Sequence, residues 1–253
     1  MIDTHCHLYS SELIDDIEGV LARAEAAGVT KFYLPAIDSS TTEQMLWLAD
    51  QYPAKCFAMA GLHPCSVKEN FEEELAHIQD MLSQRTFAAI GETALDFYWD
   101  TSYKQQQYIA LERQIDMALQ YDLPLVLHTR NAMQETIDVI QKYRSSGLRG
   151  IFHCFGGSLD EATQIIEAGF LLGIGGVVTY KKSTLPQVLA GIDMRHMVLE
   201  TDAPYLAPVP YRGKRNESSY IREVVQKIAE IKQISREEVD AITSQNAASL
   251  FRI

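Results

Sequence analysis

Phe87-Ala88-Ala89-Ile90-Gly91-Glu92 is a short apolar run that ends in a carboxylate. Short apolar runs of this kind recur along the chain, and segments whose apolar residues have helical spacing separate them. Eight strands are predicted, at residues 1–4, 31–36, 57–62, 87–91, 123–127, 150–152, 170–174 and 197–200. Alternating strands and helices indicate a mainly parallel sheet covered by helices. Eight repeats favour an α/β fold closed as a (β/α)8 TIM barrel, with an open doubly wound sheet as the alternative.

The rest of the chain is consistent with one domain. Two closing helices are predicted over about 218–231 and 236–250, after a proline-rich loop at 203–210. A chain of 253 residues with 47% hydrophobic content is long enough to bury one large core. Because no linker, low-complexity tract or internal repeat divides it, we predict a single domain over residues 1–253.

Composition limits the classes of partner. The net charge of −12 disfavours long-range attraction to nucleic acid or to an anionic membrane, so an anionic substrate requires a local positive site. Asp3, His5 and His7 lie where a signal peptide needs an apolar run, and no stretch has the length of a membrane span. The four cysteines lack CxxC spacing, so reduced thiols are expected. We therefore expect a cytoplasmic protein with no membrane association and no obligate protein partner.

Residues that can bind metals lie at the C-terminal ends of the predicted strands. The chain has 7 histidines, and all but two of them are at these ends; His77 lies in a helical segment and His196 precedes the last strand. In a (β/α)8 barrel these ends converge on one face, where active sites form. The residues at the ends are His5, His7, His63, Glu92, His128, His153, Glu200 and Asp202.

Six of these residues are the predicted metal ligands: His5, His7, Glu92, His128, His153 and Asp202. Imidazoles with a few carboxylates suit Zn²⁺, with Mn²⁺, Co²⁺ or Ni²⁺ as alternatives, whereas Mg²⁺ usually prefers oxygen ligands. Six ligands exceed the need of one catalytic zinc, so we predict two divalent cations roughly 3.5 to 4 Å apart. Glu92 is the predicted bridge, because a carboxylate after an apolar strand must be paired or metal-bound. The spacing of His5 and His7 suits strand geometry, in which residues two apart point the same way, and Cys6 would then point away.

Other polar features have simpler structural roles as alternatives. Residues 173–176 (GIGG) lack a complete phosphate-loop pattern and are interpreted as a tight turn without a cofactor. Asp202 is not expected to cap a helix, because prolines follow it closely. The basic run that begins at Arg212 follows Asp202 and should overhang the same barrel face, as should Arg130. Arg130, Arg212 and His63 are therefore the predicted substrate-binding residues.

Six motifs, taken in order, resemble the TatD-type metal-dependent deoxyribonucleases, a branch of the amidohydrolase-like barrels. The resemblance covers nearly the whole chain, and its motifs are residues 2–8 (IDTHCHL), 61–64 (GLHP), 91–96 (GETALD), 123–130 (LPLVLHTR), 153–158 (HCFGGS) and 200–206 (ETDAPYL). Two small departures occur: residues 91–96 read GETALD where the family often has GEIGLD, and Gly156 stands where threonine is common. Neither departure removes a ligand.

The resemblance implies a (β/α)8 barrel with one metal near His5, His7, Glu92 and Asp202, and a second near Glu92, His128 and His153. It also implies hydrolysis of DNA phosphodiester bonds, in an exonuclease-like manner from the 3′ end.

The leading hypothesis is phosphodiester hydrolysis by a metal-activated water. Asp202 would orient or deprotonate that water, and Glu92 would hold the metals. His63, Arg130 and Arg212 would bind phosphate oxygens or donate to the leaving group. Two divalent ions, offset by Glu92 and Asp202, leave a local charge of roughly +2. Such a site suits a DNA strand end or short oligonucleotide better than a long duplex.

Two other functions are compatible with the sequence. A metal-dependent carbonyl hydrolase, such as a lactonase, an amidohydrolase or an esterase acting on aminoacyl-tRNA, would use the same fold and water. Glu92 stands where the wider superfamily often has a carbamylated lysine, and by resemblance this favours the nuclease. A non-enzymatic scaffold or metal-storage protein would not need its ligands gathered on one barrel face.

Overall fold

Strands and helices alternate along the part of the chain that the structure, a computed structural model, describes, namely residues 1–252. The strands are β1 (Ile2–Asp3), β2 (Lys31–Leu34), β3 (Cys56–Ala58), β4 (Ile90–Asp96), β5 (Leu125–Arg130), β6 (Gly150–Phe152), β7 (Phe170–Ile174) and β8 (Met197–Leu199). The helices are α1 (Ser11–Ile14), α2 (Ile17–Ala26), α3 (Ser39–Gln51), α4 (Phe71–Gln84), α5 (Lys104–Tyr121), α6 (Met133–Gln141), α7 (Leu159–Glu167), α8 (Leu185–Ala190), α9 (Ile221–Lys232) and α10 (Arg236–Phe251). Short 3-10 turns lie at Pro64–Ser66, Gly176–Thr179, Met194–His196 and Ser218–Tyr220.

All of the strand pairs are parallel, in the orders β1-β2-β3 and β4-β5-β6-β7-β8. Backbone hydrogen bonds join the two groups at both seams. At one seam Ala60 N donates to Ala89 O (3.1 Å), and at the other Thr4 N donates to Leu199 O (3.0 Å). The predicted (β/α)8 barrel is therefore confirmed, and the open doubly wound alternative is wrong.

The fourth strand differs from its predicted span of 87–91. β4 begins at Ile90 and continues past Glu92 to Asp96, with a register irregularity between Ile90 and Thr93. A bulge of this kind redirects a side chain, so the charged Glu92 is a residue within the strand rather than its end. Only glycine fits before it, because a Cβ on Gly91 would lie 2.7 Å from Val126 Cβ and 2.9 Å from Val126 O.

The N-terminal end of the barrel is closed by α10. Alternate strand residues point into the barrel and pack on this helix, and the rings of Tyr33 and Phe251 stack 3.8 Å apart. Ser235 and Glu238 form a capping box that starts α10, close to the predicted 236–250. The other closing helix was predicted from 218, but residues 218–220 form a 3-10 turn and α9 starts at Ile221. Within residues 1–252, no helix combines the length and the apolarity that crossing a bilayer requires.

Candidate metal centre

Glu92 lies at the centre of a cluster at the C-terminal end of the barrel. Its Oε2 is 3.2 Å from His5 Nε2 and 3.6 Å from His7 Nε2. Its Oε1 is 2.8 Å from His128 Nδ1 and 3.0 Å from His153 Nε2. The bulge in β4 aims this carboxylate into the barrel mouth, so its two oxygens face two different groups of imidazoles.

Asp202 completes one of these groups. Its Oδ1 lies 3.6 Å from His5 Nε2 and 3.5 Å from His7 Nε2. The backbone of Asp202 is left-handed (φ 56), a conformation that aspartate adopts more readily than most residues, and its N–H donates to His5 O (2.9 Å). We call His5, His7 and Asp202 the first ligand group, and His128 and His153 the second ligand group. The structure thus brings all six predicted ligands together.

His5 provides a direct test of whether this cluster fits a metal ion. Its side chain is fully buried, yet neither Nδ1 nor Nε2 has a hydrogen-bond partner within residues 1–252. Burial lowers the pKa of His5, and the neighbouring His153 lowers it further, which favours the neutral imidazole. A buried polar atom without a partner is costly. A divalent cation would accept the unused lone pair of His5, so the residue fits a metal ligand.

Tyr9 sets the tautomer of His7. The Tyr9 hydroxyl donates its single proton to Pro35 O (2.6 Å) and lies 3.0 Å from His7 Nδ1. Burial raises the pKa of Tyr9 well above its usual value, so the hydroxyl stays protonated. His7 Nδ1 must therefore carry the proton that it donates to Tyr9. This leaves the Nε2 lone pair of His7 facing Glu92 and Asp202, as a metal ligand requires.

Asp96 has the equivalent role for His128. Asp96 Oδ2 is 2.9 Å from His128 Nε2, on the side of the ring opposite Glu92. Burial opposes charge on His128, but hydrogen bonds to Asp96 and Glu92 outweigh it and raise its pKa. A carboxylate behind a metal-binding histidine holds the ring and fixes its proton. If Nε2 keeps its proton for Asp96, Nδ1 is the atom of His128 that can bind a metal.

Glu200 supports the last of the imidazoles. Its side chain is fully buried, Oε1 lies 3.4 Å from His153 Nδ1, and the same oxygen accepts the N–H of Cys154 (2.5 Å). Burial opposes charge on His153, but the Glu92 and Glu200 carboxylates raise its pKa well above the usual value. Because Nδ1 of His153 faces Glu200, Nε2 is the atom directed to Glu92. The ring of His153 also stacks on that of His5, with centroids 3.8 Å apart.

His63 joins the cluster in a different state. Its Nε2 is 3.4 Å from Glu92 Oε1, while its Nδ1 accepts the N–H of Cys65 (3.0 Å). Burial lowers the pKa of His63, which favours a neutral ring with its proton on Nε2. His63 lies within ligand distance of Glu92 and His128. It nevertheless presents a donor rather than a lone pair, consistent with the predicted contact to substrate.

The charges of the cluster also favour cations. Burial opposes ionisation of Glu92, but His153, His5 and His63 lower its pKa well below the usual range. Burial likewise opposes ionisation of Asp202, yet the neighbouring imidazoles of His7, His153 and His5 lower its pKa. Buried carboxylates need compensating positive charge. Metal ions would supply that charge and release the protons of the imidazoles, so the residues present fit divalent cations.

The two predicted arginines lie outside this cluster. The Arg130 guanidinium is stacked on the ring of Tyr98 (3.8 Å to the centroid), and that of Arg212 lies over Tyr180 (3.9 Å). Neither arginine forms a salt bridge within residues 1–252 with any of the six ligands. Arg130 is the last residue of β5 and Arg212 lies in the loop after β8, so both lie toward the barrel mouth and their contact with substrate remains a prediction. His77, on α4, instead contacts Thr42 (3.1 Å).

The residues that support the ligands were not predicted. Tyr9 gave no signal, because its partner Pro35 is distant in the chain. Asp96 and Glu200 lie within the motifs at 91–96 and 200–206, but no spacing pairs either of them with the imidazole that it supports. Asp3 is also buried, and its Oδ2 accepts the hydroxyls of Thr201 and Ser218 (both 2.6 Å). Burial raises the pKa of Asp3 to about 7, and its hydrogen bonds tie β1 to the loop that carries Asp202.

Known proteins are similar to this chain over nearly its whole length. A sequence profile of the family described as "TatD related DNase" matches residues 2–252. The "Uncharacterized metal-dependent hydrolase YabD" of Bacillus subtilis is 36% identical over 254 residues, which cover 100% of this chain and 99% of that protein. The "3'-5' ssDNA/RNA exonuclease TatD" of Edwardsiella piscicida is 31% identical over 259 residues, covering 100% of both chains. The crystal structure of YjjV, a TatD homologue from Escherichia coli K12, has a TM-score of 0.94 at 30% identity and covers 100% of this chain and 98% of its own.

Proposed function

Because the chain belongs to the TatD related DNase family, as its six motifs predicted, we propose that this metal-dependent hydrolase cleaves phosphodiester bonds of DNA from the 3′ end. One observation carries the proposal. The two oxygens of Glu92 face different ligand groups, with His5 Nε2 3.2 Å from Oε2 and His128 Nδ1 2.8 Å from Oε1. A carboxylate so placed suits a bridge between two cations.

The chain's own residues divide the binding of these cations. The first ligand group and Glu92 Oε2 would hold one ion, and the second ligand group and Glu92 Oε1 would hold the other. A divalent pair supplies a water of lowered pKa and neutralises charge on the phosphate. Zn²⁺ fits the imidazole-rich donors, with Mn²⁺, Co²⁺, Ni²⁺ and Mg²⁺ as the alternatives that the assay below separates.

Asp202 is the proposed proton acceptor. Its lowered pKa keeps the carboxylate ionised at neutral pH, and its side chain is less enclosed than that of Glu92, with 14% exposed against 3%. A carboxylate at the open side of the site can orient a water and take its proton at an Oδ atom. Glu92 is enclosed by imidazoles, so its proposed part in catalysis is to hold the ions.

His63 is the proposed donor to substrate. Its Nε2–H faces the cluster, while its Nδ1 is held by the N–H of Cys65. An N–H so oriented can donate to a phosphate oxygen or to the leaving oxygen. Arg130 and Arg212, at the rim, are the proposed contacts to more distant phosphates.

The acidic chain suits a strand end rather than a long duplex. A net charge of −12 cannot attract many phosphates, so binding would depend on local charge at the metals. The relative from Edwardsiella piscicida is named for single-stranded DNA and RNA. We propose a short single-stranded DNA end as the substrate, with RNA as the polymer to compare.

The test uses chelator-stripped protein reloaded with Mg²⁺, Mn²⁺, Zn²⁺, Co²⁺ or Ni²⁺. Each form is incubated with single-stranded oligonucleotides labelled at the 5′ or the 3′ end, of DNA and of RNA. We expect a ladder that shortens from the 3′ end of DNA and no cleavage by His128→Ala. His77→Ala is the matched control, because His77 lies on α4 and contacts Thr42. Absence of cleavage with every ion would defeat the proposal.

A carbonyl hydrolase is the competing outcome. The same loaded protein is offered lactones, amides and an aminoacyl ester. Turnover of one of these substrates without cleavage of any oligonucleotide would show that the protein is a carbonyl hydrolase rather than a nuclease. The absence of divalent-ion binding in calorimetry would instead favour a structural role.

A further inference from the structure

Two large aromatic side chains are exposed where β4 ends. Tyr98 is 52% exposed and Trp99 is 67% exposed, and their rings meet edge to face with centroids 4.9 Å apart. Neither ring takes part in the metal cluster. Apolar surface left open at the mouth of a catalytic barrel commonly marks a binding site.

Asp96 fixes these aromatics relative to the metal cluster. Its Oδ1 accepts the N–H of Tyr98 (2.9 Å) and the N–H of Trp99 (3.2 Å). Its Oδ2 is 2.9 Å from His128 Nε2. One buried carboxyl group therefore links the turn that carries Trp99 to the second ligand group. The turn is held in a defined position rather than being a loose loop.

Arg130 adds positive charge to the same place. Its guanidinium carbon is 3.8 Å from the centroid of the Tyr98 ring and 5.0 Å from that of Trp99. Within residues 1–252 it forms no ion pair, unlike Lys68, which pairs with Asp100. An arginine on aromatic rings without a carboxylate partner keeps its N–H donors for an anion. The surface thus offers stacking faces and one available cation.

A shallow open groove continues from this surface. Arg130, Asn131, Cys154 and Gly156 are among its lining residues, and its volume is about 500 Å³. Cys154 follows the ligand His153, so the groove reaches the edge of the metal cluster. It is large enough for a nucleotide.

We propose that Tyr98, Trp99 and Arg130, here called the β4 platform, bind a nucleobase of a single-stranded oligonucleotide whose scissile phosphate lies at the metal cluster. This inference rests on the proposed function and specifies how the substrate is selected. Aromatic rings stack on every base, so the platform is tolerant of sequence. In a duplex the base faces are covered by neighbouring pairs, so the platform selects unpaired strand ends. Arg130 contacts the adjacent phosphate.

The kinetic test compares an octathymidylate with the same strand carrying one abasic residue, placed in turn at each of the last three positions. Trp99→Ala should raise KM for the complete strand about 5- to 150-fold, the loss expected for one stacked base. We expect kcat to change less than about twofold, because stacking holds substrate and transition state alike. Trp99→Phe should restore most of the affinity. Trp47→Ala, which removes an exposed tryptophan on α3, is the matched control and should leave KM unchanged.

When the abasic residue lies at the stacked position, wild type should bind that strand as weakly as Trp99→Ala binds the complete strand. Trp99→Ala should not weaken binding of the abasic strand any further. If Trp99→Ala raises KM equally for complete and abasic strands, the platform is overturned. It is also overturned if Trp99→Ala leaves KM unchanged but dissociates a dimer in sedimentation, because the surface would then join two copies of the chain.

A fluorescence test separates this inference from the proposed function. The chain has 2 tryptophans, so Trp47→Phe leaves Trp99 as the single reporter. A phosphorothioate octathymidylate, which resists hydrolysis, is titrated into the metal-loaded variant. If the complete strand quenches Trp99 fluorescence and the abasic strand quenches it much less, the platform is supported even if no cleavage is detected. Cleavage of oligonucleotides by wild type without any quenching overturns the platform and leaves the nuclease intact.

Discussion

Gly173, in β7, leaves the space that Glu200 needs in order to support His153. A Cβ at this position would lie 2.3 Å from Glu200 Oε2 and 3.1 Å from His153 Cα. In Gly173→Ala the buried Glu200 must move, because the other contact is backbone. Overpacking of this kind costs about 1–3 kcal/mol. For a domain of this size, each kcal/mol lowers Tm by about 2–4 °C, so Tm should fall by about 2–12 °C.

The same change should weaken metal binding at the second ligand group. Losing the carboxylate behind a metal-binding histidine commonly costs about 10- to 100-fold in affinity. Calorimetry with Zn²⁺ or Mn²⁺ on chelator-stripped protein should show one ion bound as in wild type and the other bound more weakly. Differential scanning fluorimetry gives Tm on the same samples.

Gly156→Ala is the matched control for this prediction. It lies in the loop after β6, and the nearest atom to its added Cβ would be Cys154 O at 4.0 Å. We expect its Tm and its metal affinity to equal those of wild type. If Gly173→Ala binds both ions normally and melts with wild type, the proposed dependence of His153 on Glu200 is wrong.

Four other predictions concern the metal centre and the buried thiols. At a free ion concentration of 100 times Kd, metal binding stabilises the folded protein by about 2.7 kcal/mol, so removing the metal with chelator should lower Tm by about 5–11 °C. An unchanged melting curve would contradict a metal site in the folded protein. Glu92→Gln should abolish binding of both ions in calorimetry, whereas His77→Gln should bind both; retention of one tight ion by Glu92→Gln would exclude a shared ligand. Tyr9→Phe removes the hydroxyl that accepts the Nδ1–H of His7, so binding of the ion at the first ligand group should weaken about 10- to 100-fold while the other ion binds as in wild type. Affinities equal to those of wild type would show that the tautomer of His7 is set otherwise. Burial raises the pKa of Cys56 and of Cys65 to about 12, so at pH 8 only about 10⁻⁴ of either thiol is ionised; Ellman's reagent should react slowly with native protein and rapidly in guanidinium, and a fast native thiol would contradict this.

Strand positions were largely predictable because each buried strand is a local apolar run. β6 and β7 have their predicted bounds, and α10 begins at its predicted residue. β4 was predicted wrongly because a charged residue ordinarily ends an apolar strand. Here a bulge turns Glu92 into the barrel and lets the strand continue, and no local pattern records that geometry.

The roles of individual imidazoles depended on partners that are distant in the chain. The spacing of His5 and His7 predicted that they share a direction, but only the contact between Tyr9 and Pro35 shows which nitrogen of His7 is free. His63 occupied a strand-end position like the ligands. Its bond from the Cys65 N–H distinguishes it as a donor, and this is a property of one backbone turn.

The amino-acid sequence alone predicts the barrel, the face on which the polar strand ends gather and the identity of the six candidate ligands. It can do so because parallel strands bring their C-terminal ends together, whatever the intervening helices contain. The folded chain is needed to show how Glu92 divides its oxygens between two groups, which carboxylates orient the rings, and where Trp99 lies relative to His128. Those properties depend on distances of a few ångströms between residues that are far apart in the chain, and periodicity and motif spacing do not encode such distances.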